Sequence, residues 1–160
     1  MRNMFIRPLM FAALAAMAAC VQTVSPTGPS GGGGNMPAPS REPIIVGDRG
    51  GNVMAAIQRR NELARSGRPV EVRGYCGSAC TLYITLPNAC LGPRATVGFH
   101  APRIPGTTII PQGVDNIMGS YYRNGIKRRW DAEWKHSLEI QKITAREYVR
   151  LDPQTRLCAN

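Results

Sequence analysis

The chain has 160 residues, which is enough for one domain once its two ends are set aside. It carries 20 Lys and Arg against 10 Asp and Glu, so its net charge is +10 at neutral pH. The basic residues are scattered apart from Lys127-Arg128-Arg129, and no nucleic-acid-binding motif accompanies them. The charge therefore predicts a solvated surface close to an anionic membrane, and no nucleic-acid partner.

The N-terminus has the pattern of an export signal. Arg2 and Arg7 supply positive charge, and residues 8–19 form an apolar run of twelve residues. This run is too short to span a bilayer and has the length of a signal-peptide core. Residues 1–19 are therefore predicted to be a signal peptide.

The signal ends at Met17-Ala18-Ala19-Cys20, which resembles the lipobox of bacterial lipoproteins. That resemblance implies that Cys20 is acylated, becomes the mature N-terminus and anchors the protein in a membrane. Because Val21 rather than Asp follows, the resemblance further implies the outer membrane, on the periplasmic side of the cell envelope. The alternative is an ordinary signal peptide cut near Ala19.

A flexible tether is predicted between the signal and the folded domain. Residues 20–43 begin with Cys20 and are then rich in Pro, Ser, Thr and Gly, including Gly31 to Gly34. Such a composition cannot bury a core. The folded domain is therefore predicted to cover residues 44–160.

The first part of that domain is predicted to consist of alternating strands and helices. Short β-branched runs predict strands at 44–46, around Val70 and Val72, and at 95–99. Apolar residues at helical spacing predict a helix over about 52–66, and a shorter helix follows Ser78. The order β-α-β-α-β predicts an α/β fold with a small, three-stranded parallel sheet and flanking helices.

The last part of the chain is predicted to be helical. A Pro- and Gly-rich loop runs to Gly113, and helices follow at about 114–123 and 126–139, broken at Asn124-Gly125. A final helix at about 144–151 has the capping-box pattern, with Thr144 followed three residues later by Glu147. The aromatic side chains of this part are predicted to cover the sheet, and the alternative is an exposed peptide-binding face; they are Tyr121, Tyr122, Trp130 and Trp134.

Four cysteines lie in the predicted domain: Cys76, Cys80, Cys90 and Cys158. An even number in an exported protein favours two disulfides, for which three pairings are possible. We expect Cys80–Cys90 with Cys76–Cys158. The alternative is a metal site built from Cys76, Cys80, Cys90 and His100, but these spacings match no familiar zinc pattern. The sequence therefore predicts neither a bound metal nor another cofactor.

Three turns at predicted strand ends carry residues that could catalyse a reaction together. Ser78 follows the second strand and His100 follows the third, and parallel strands end at the same edge of a sheet. Ser78 could attack a carbonyl while His100 takes its proton. The backbone N–H groups of Gly51 and Ala79 could hold the oxyanion. Taken singly, these features are more often a helix N-cap, a structural histidine and a turn.

Three segments resemble one protein family. Ile45-Val46-Gly47-Asp48-Arg49-Gly50-Gly51, Gly74-Tyr75-Cys76-Gly77-Ser78-Ala79 and Pro93-Arg94-Ala95-Thr96-Val97-Gly98-Phe99-His100-Ala101-Pro102 resemble the proteolytic subunit of Clp protease and its relatives in the crotonase-like superfamily. Within that superfamily the likeness is to exported bacterial proteins. It implies a reduced crotonase-like fold, with Ser78 as nucleophile, His100 as base, and Gly51 and Ala79 as oxyanion donors.

The resemblance also implies an acid that orients His100. Glu139 lies just ahead of a segment, Lys142 to Glu147, that looks like the family's last helix motif. Asp131 and Glu133 are rivals for this role. The implied function is an envelope serine hydrolase, a peptidase acting on peptide substrates through an acyl-enzyme at Ser78. The alternative is a catalytically degenerate scaffold of the same fold that binds an envelope partner.

Overall fold

The computed structural model of the protein describes residues 41–159. The predicted signal peptide, the predicted lipidation site at Cys20 and the predicted tether up to residue 40 lie outside these residues. None of the described helices has the length and apolar character needed to cross a membrane.

Seven strands, four α-helices and two 3₁₀ helices make up the described part of the chain. In order they are β1 (Ile44–Val46), α1 (Val53–Arg65), β2 (Val70–Val72), β3 (Tyr75–Gly77), a first 3₁₀ helix (Ser78–Thr85), β4 (Ala89–Leu91), β5 (Thr96–Phe99), α2 (Val114–Gly119), α3 (Asn124–Ala132), a second 3₁₀ helix (Trp134–His136), β6 (Gln141–Thr144), α4 (Ala145–Leu151) and β7 (Arg156–Leu157).

The first sheet is parallel throughout and has the order β1-β2-β4-β7. One face of its central strands is fully buried, at Val70, Val72 and Leu91, whereas Glu71 and Cys90 on the other face are only partly buried. Such alternation follows from the two-residue period of a strand. The mixed α/β character with a small parallel sheet, expected from the sequence, is confirmed.

The second sheet has the order β3-β5-β6 and carries the predicted site residues. β3 and β5 are parallel, with Gly77 opposite Gly98, and β6 runs antiparallel to β5. Ser78 follows β3 directly, and His100 follows β5 directly. Because the two strands are parallel neighbours, both residues leave the sheet at the same edge.

Helix α1 agrees with the predicted helix over residues 52–66. Asn52 caps it, accepting the Ala55 N–H through its side-chain oxygen at 2.9 Å. The helix buries Ala56 and Leu63. Gly67, with φ of +63°, then turns the chain toward β2 in a conformation that glycine adopts without strain.

An aromatic cluster joins the C-terminal helices to the second sheet. The ring of Phe99 in β5 stacks on Trp134, with centroids 4.3 Å apart, and meets the edge of Tyr122 at 5.6 Å. Tyr122 also packs against Trp130, at 5.0 Å. Trp130, Trp134 and Tyr122 are all buried, so the prediction that the aromatic residues cover the sheet is confirmed for these three.

Half of the predicted capping box is present at the start of α4. The Thr144 side chain accepts the N–H of Glu147 at 3.1 Å, but the Glu147 carboxylate accepts a bond from Arg129 at 3.0 Å. The helices before it are shorter than predicted, because α2 ends at Gly119 and α3 ends at Ala132. Asn124-Gly125 begins α3 instead of breaking a helix, since Asn124 takes a left-handed φ of +51° and binds Asp152 through its side chain.

The prediction of a single three-stranded sheet is wrong. Gly74, with φ of +66°, turns the chain immediately after β2, so that β3 leaves the first sheet and joins the second. β1 and β2 are predicted from their β-branched residues, whereas β3 (Tyr-Cys-Gly), β4 (Ala-Cys-Leu) and β7 (Arg-Leu) have none. β6 begins with the polar pair Gln141-Lys142 and is not predicted either.

The predicted disulfide pairing is also wrong, although the expected two disulfides are present. Cys76 of β3 is bonded to Cys80, whose Cα lies 5.3 Å away because the 3₁₀ helix folds the chain back at once. Cys90 of β4 is bonded to Cys158, since β4 pairs with β7 and brings Leu91 opposite Leu157. Disulfides indicate an oxidising, extracytoplasmic compartment.

Candidate active site at the Ser78 turn

Ser78 occupies a sharp turn between β3 and the first 3₁₀ helix. Its φ is +53°, in the left-handed region that residues other than glycine seldom adopt. The Cys76–Cys80 disulfide closes the chain around this residue. Strain at a strand-to-helix turn presents a serine hydroxyl away from the backbone, which is the local geometry a nucleophile requires.

Two buried hydroxyl groups hold this turn from the inside. The Thr81 hydroxyl donates to the Ser78 carbonyl oxygen at 2.6 Å. It also lies 2.7 Å from the Tyr122 hydroxyl. Because Thr81 has one proton and gives it to Ser78, Tyr122 is the donor in the second bond. Burial raises the pKa of Tyr122 well above its ordinary value, with the Thr81 bond opposing it, so Tyr122 stays protonated.

The Gly50-Gly51 loop packs directly against the Ser78 turn. A Cβ atom at Gly50 would lie 2.6 Å from the Gly77 carbonyl oxygen and 2.7 Å from both the Ala79 nitrogen and the Ser78 Cβ. Only glycine permits this approach, and the φ of Gly50 is +83°. Asp48 fixes the loop, because its carboxylate accepts the Gly50 N–H at 2.6 Å and its carbonyl accepts the Gly77 N–H at 2.9 Å.

His100 is oriented by the main chain. Its Nδ1 atom lies 2.7 Å from the Ala101 carbonyl oxygen. A carbonyl only accepts, so Nδ1 carries the proton and, in the neutral ring, Nε2 keeps its lone pair. Ala101 is itself fixed, since its N–H donates to the Ser137 carbonyl at 2.7 Å. This is the tautomer that a general base needs when its substrate lies on the Nε2 side.

Ser78, His100 and Gly51 line one cavity of about 590 Å³. Its other walls are mainly apolar, with two arginines; they are formed by Arg49, Asn52, Val53, Met54, Pro102, Arg103, Ile104, Pro105, Gly106, Pro111 and Val114. The cavity therefore contains a hydroxyl, an imidazole and an exposed glycine backbone within apolar surroundings. Such a combination suits a small-molecule or side-chain binding site.

Within residues 41–159 no hydrogen bond joins Ser78 to His100, and the Ser78 Oγ atom has no hydrogen-bond partner. Side chains of this kind are often further apart without substrate and come together in the complex. Direct proton transfer between Ser78 and His100 would require them to move closer within the shared cavity.

Ala79 lies beside Gly51 at a second, smaller cavity. That cavity has a volume of about 280 Å³ and is also lined by Asp48, Gly50 and Tyr83. Ala79 is the second residue of the 3₁₀ helix, where the backbone N–H precedes the first bond within the helix. Gly51 lines both cavities. Gly51 and Ala79, the two residues expected to bind an oxyanion, thus share the smaller cavity, but Ala79 does not line the cavity that contains Ser78 and His100.

The acids expected to orient His100 lie elsewhere. Glu139 is exposed, does not line the cavity, and donates its backbone N–H to the Ser137 hydroxyl at 3.1 Å. The carboxylate of Asp131 accepts hydrogen bonds and ion pairs from Lys127 and Lys135; the Lys127 bond is the main reason its pKa is lowered. Glu133 is exposed as well. None of the three is bonded to the His100 ring.

Sequence analysis missed the residues that hold the site. Thr81 and Tyr122 are 41 positions apart, and only the folding of α2 and α3 over the second sheet brings them together. For Asp48 a signal was available, since an Asp two residues before a glycine often binds the backbone through its side chain. The alternative metal site lacks thiolates, since Cys76, Cys80 and Cys90 are all in disulfides.

Comparison of the sequence with models of known protein families and with curated proteins found no match.

Proposed function

We propose that the protein is a serine hydrolase in which Ser78 forms an acyl-enzyme and His100 is the general base. One observation supports this above the others: Ser78 and His100 follow parallel neighbouring strands and line the same cavity of about 590 Å³. The strained φ of Ser78 and the tautomer of His100 suit the two roles.

The reaction proceeds through one acyl-enzyme and needs four proton transfers, two in its formation and two in its hydrolysis. His100 Nε2 takes the Ser78 hydroxyl proton as Oγ attacks the substrate carbonyl. The N–H groups of Gly51 and Ala79 bind the resulting oxyanion. The tetrahedral intermediate then collapses, and His100 returns the proton to the leaving group. Water, deprotonated by the same ring, releases the acid and restores the Ser78 hydroxyl.

The Ala101 carbonyl takes the orienting place that a carboxylate has in a Ser-His-Asp triad. It fixes the ring tautomer through the 2.7 Å bond to Nδ1. As a neutral acceptor it stabilises an imidazolium less than a carboxylate would, so we expect slow turnover. The proposal therefore assigns no catalytic role to Glu139.

The substrate class and setting proposed are those implied by the sequence resemblance. The domain would be a reduced Clp-protease-like member of the crotonase-like superfamily that cleaves peptides at the periplasmic side of the envelope, anchored in the outer membrane through Cys20. The apolar walls of the cavity, including Val53 and Val114, are compatible with an apolar side chain next to the scissile bond.

A catalytically degenerate scaffold that binds an envelope partner is the second candidate. The observation that favours it is the absence, within the described residues, of a hydrogen bond between Ser78 and His100. In that case the cavity would bind a ligand without covalent chemistry.

Labelling with a fluorophosphonate separates the two candidates. The hydrolase should react with the probe, and Ser78→Ala should abolish labelling while the near-ultraviolet circular dichroism of the buried aromatic cluster is unchanged. If the folded wild-type protein does not react, the scaffold is favoured. Labelling that survives in Ser78→Ala would remove Ser78 as the nucleophile.

A further inference from the structure

Three large apolar side chains are exposed around the mouth of the Ser78 cavity. Met54 is 56% exposed, Ile104 is 43% exposed and Ile109 is 58% exposed. Met54 and Ile104 both line the cavity, and the Ile104 N–H donates to the Ile109 carbonyl at 2.9 Å. Single exposed apolar residues are ordinary, but a cluster at a cavity mouth marks an interaction surface.

The exposure of the two isoleucines is fixed by the turn between them. The Thr107 N–H and hydroxyl both donate to the Ile104 carbonyl, at 3.0 and 2.9 Å. The Thr107 hydroxyl oxygen also accepts the Ile109 N–H at 3.1 Å. The backbone that carries these two exposed side chains is therefore held in a hydrogen-bonded turn.

Two arginines accompany these apolar side chains. Arg49 and Arg103 both line the cavity, and within residues 41–159 neither forms an ion pair. The nearest carboxylates in sequence are Asp48, which binds the Gly50 N–H, and Asp115, and neither lines this cavity. The mouth thus combines apolar side chains with uncompensated positive charge.

We propose that this surface, formed by Met54, Ile104, Ile109, Arg49 and Arg103 and called here the rim surface, docks on a lipid bilayer with anionic headgroups. The isoleucines and the methionine enter the headgroup region, and the arginines contact lipid phosphates. Docking in this way turns the mouth of the Ser78 cavity toward the bilayer.

The charge argues for a bilayer over a second copy of the chain. In a two-fold dimer the same surface faces itself, which would bring Arg49 and Arg103 of both copies together. Such like charges are repelled in a desolvated interface, whereas anionic headgroups neutralise them. The inference is independent of catalysis, since it uses neither Ser78 nor His100.

Site-specific tryptophan fluorescence tests the proposal on the full chain. Ile109→Trp places a reporter on the rim surface, and Ile45→Trp is the matched control because Ile45 is 56% exposed and lies in β1, away from the cavity lining. The native Trp130 and Trp134 are buried and give a constant background. Any contribution of the N-terminal residues is the same in both proteins.

With vesicles of phosphatidylglycerol and brominated phosphatidylcholine, we expect I109W emission to move to shorter wavelength and to be quenched, while I45W is unaffected. Adding Arg49→Gln and Arg103→Gln to I109W should lower the partition coefficient roughly thirtyfold, from the contribution of about 1 kcal/mol per basic residue.

Three results would overturn the proposal. They are equal quenching of I109W and I45W, no quenching of I109W, and quenching that is as strong in vesicles of phosphatidylcholine alone. A shift of I109W emission that needs no lipid and grows with protein concentration would assign the rim surface to self-association instead.

Discussion

The Nδ1 atom of His100 lies 2.7 Å from the carbonyl oxygen of Ala101. The imidazole is therefore oriented by its own neighbour in the chain, at the point where β5 ends. A backbone carbonyl cannot be removed by substitution, so the orientation of this ring is set by the backbone conformation of residues 99–101. The acid that family resemblance led us to expect, Glu139, has no bond to the ring.

This arrangement makes Glu139 and His100 respond differently to substitution. His100→Ala should lower the rate of fluorophosphonate labelling by at least about 100-fold, the contribution of a general base. Glu139→Gln should leave it within about twofold, as for an exposed substitution away from the site. A loss in Glu139→Gln comparable to that in His100→Ala would restore Glu139 as the orienting acid.

Thr81 is expected to position Ser78 without taking part in the reaction. Thr81→Val removes the bond to the Ser78 carbonyl and leaves the buried Tyr122 hydroxyl without its acceptor. We expect a loss of about 1–3 kcal/mol in the free energy of unfolding. The labelling rate should fall as well, because the turn is no longer held, and Thr81→Ser should restore it.

Thr85→Val is the control for this prediction. Thr85 is buried on the same 3₁₀ helix and donates to the Leu82 carbonyl at 2.7 Å, one turn further from Ser78. The Thr85→Val variant should lose stability to a similar degree as Thr81→Val but should keep the wild-type labelling rate. Equal loss of labelling in the valine variants of Thr81 and Thr85 would reduce the role of Thr81 to general stability.

The two disulfides should have separable effects. Loop-closure entropy predicts roughly 4 kcal/mol from Cys90–Cys158, which spans 68 positions, and roughly 2 kcal/mol from Cys76–Cys80, which spans four. Urea unfolding of the two double alanine variants measures both values. The labelling rate should fall only without Cys76–Cys80, since that bridge closes the Ser78 turn. A labelling rate that falls only when Cys90–Cys158 is removed would contradict this prediction.

Acid should weaken the fold through Asp152. This carboxylate is buried and receives hydrogen bonds from Asn124, Thr155 and Arg123. Burial alone would raise its pKa, but these bonds outweigh burial, and the pKa lies below its ordinary value. A lowered folded-state pKa contributes stability above the unfolded-state pKa of about 4, and this stability is lost as the pH falls through the folded-state pKa.

Asp152→Asn should therefore cost roughly 3 kcal/mol at neutral pH, as when a buried ion pair loses one partner. Between pH 5 and pH 3, its stability should fall less steeply than that of the wild type. Glu62→Gln, at an exposed pair with Arg59, is the control and should leave both quantities unchanged. Denaturant unfolding at several pH values measures the free energy of unfolding of each variant. If this free energy falls as steeply between pH 5 and pH 3 in Asp152→Asn as in the wild type, Asp152 is not the group responsible.

Sequence reasoning succeeded where a signal was repeated along several residues. The apolar spacing of Val53, Ala56 and Leu63 predicted α1 with its bounds, and the run ending at Phe99 predicted β5. Ser78 and His100 were expected to share one edge of a sheet because each follows a strand. They do share one, although the strands are β3 and β5 of a sheet that the sequence did not predict.

Sequence reasoning failed where strands lack a run of β-branched residues and where distant contacts decide the structure. β7 has only two residues, so its pairing with β4, and with it the Cys90–Cys158 disulfide, follows from tertiary packing alone. The bond between Thr81 and Tyr122 depends on how α2 and α3 cross the second sheet. No local sequence pattern predicts a strand pairing or a side-chain bond of this kind, between residues that are far apart in the chain.

The most direct test of the central claim is peptide mapping of the fluorophosphonate-treated full chain by mass spectrometry. The account predicts one adduct, on Ser78 Oγ, which is absent from Ser78→Ala and lost in His100→Ala. An adduct on a different residue, or none on a protein whose disulfides and near-ultraviolet circular dichroism show it to be folded, would contradict the claim that Ser78 is an activated nucleophile.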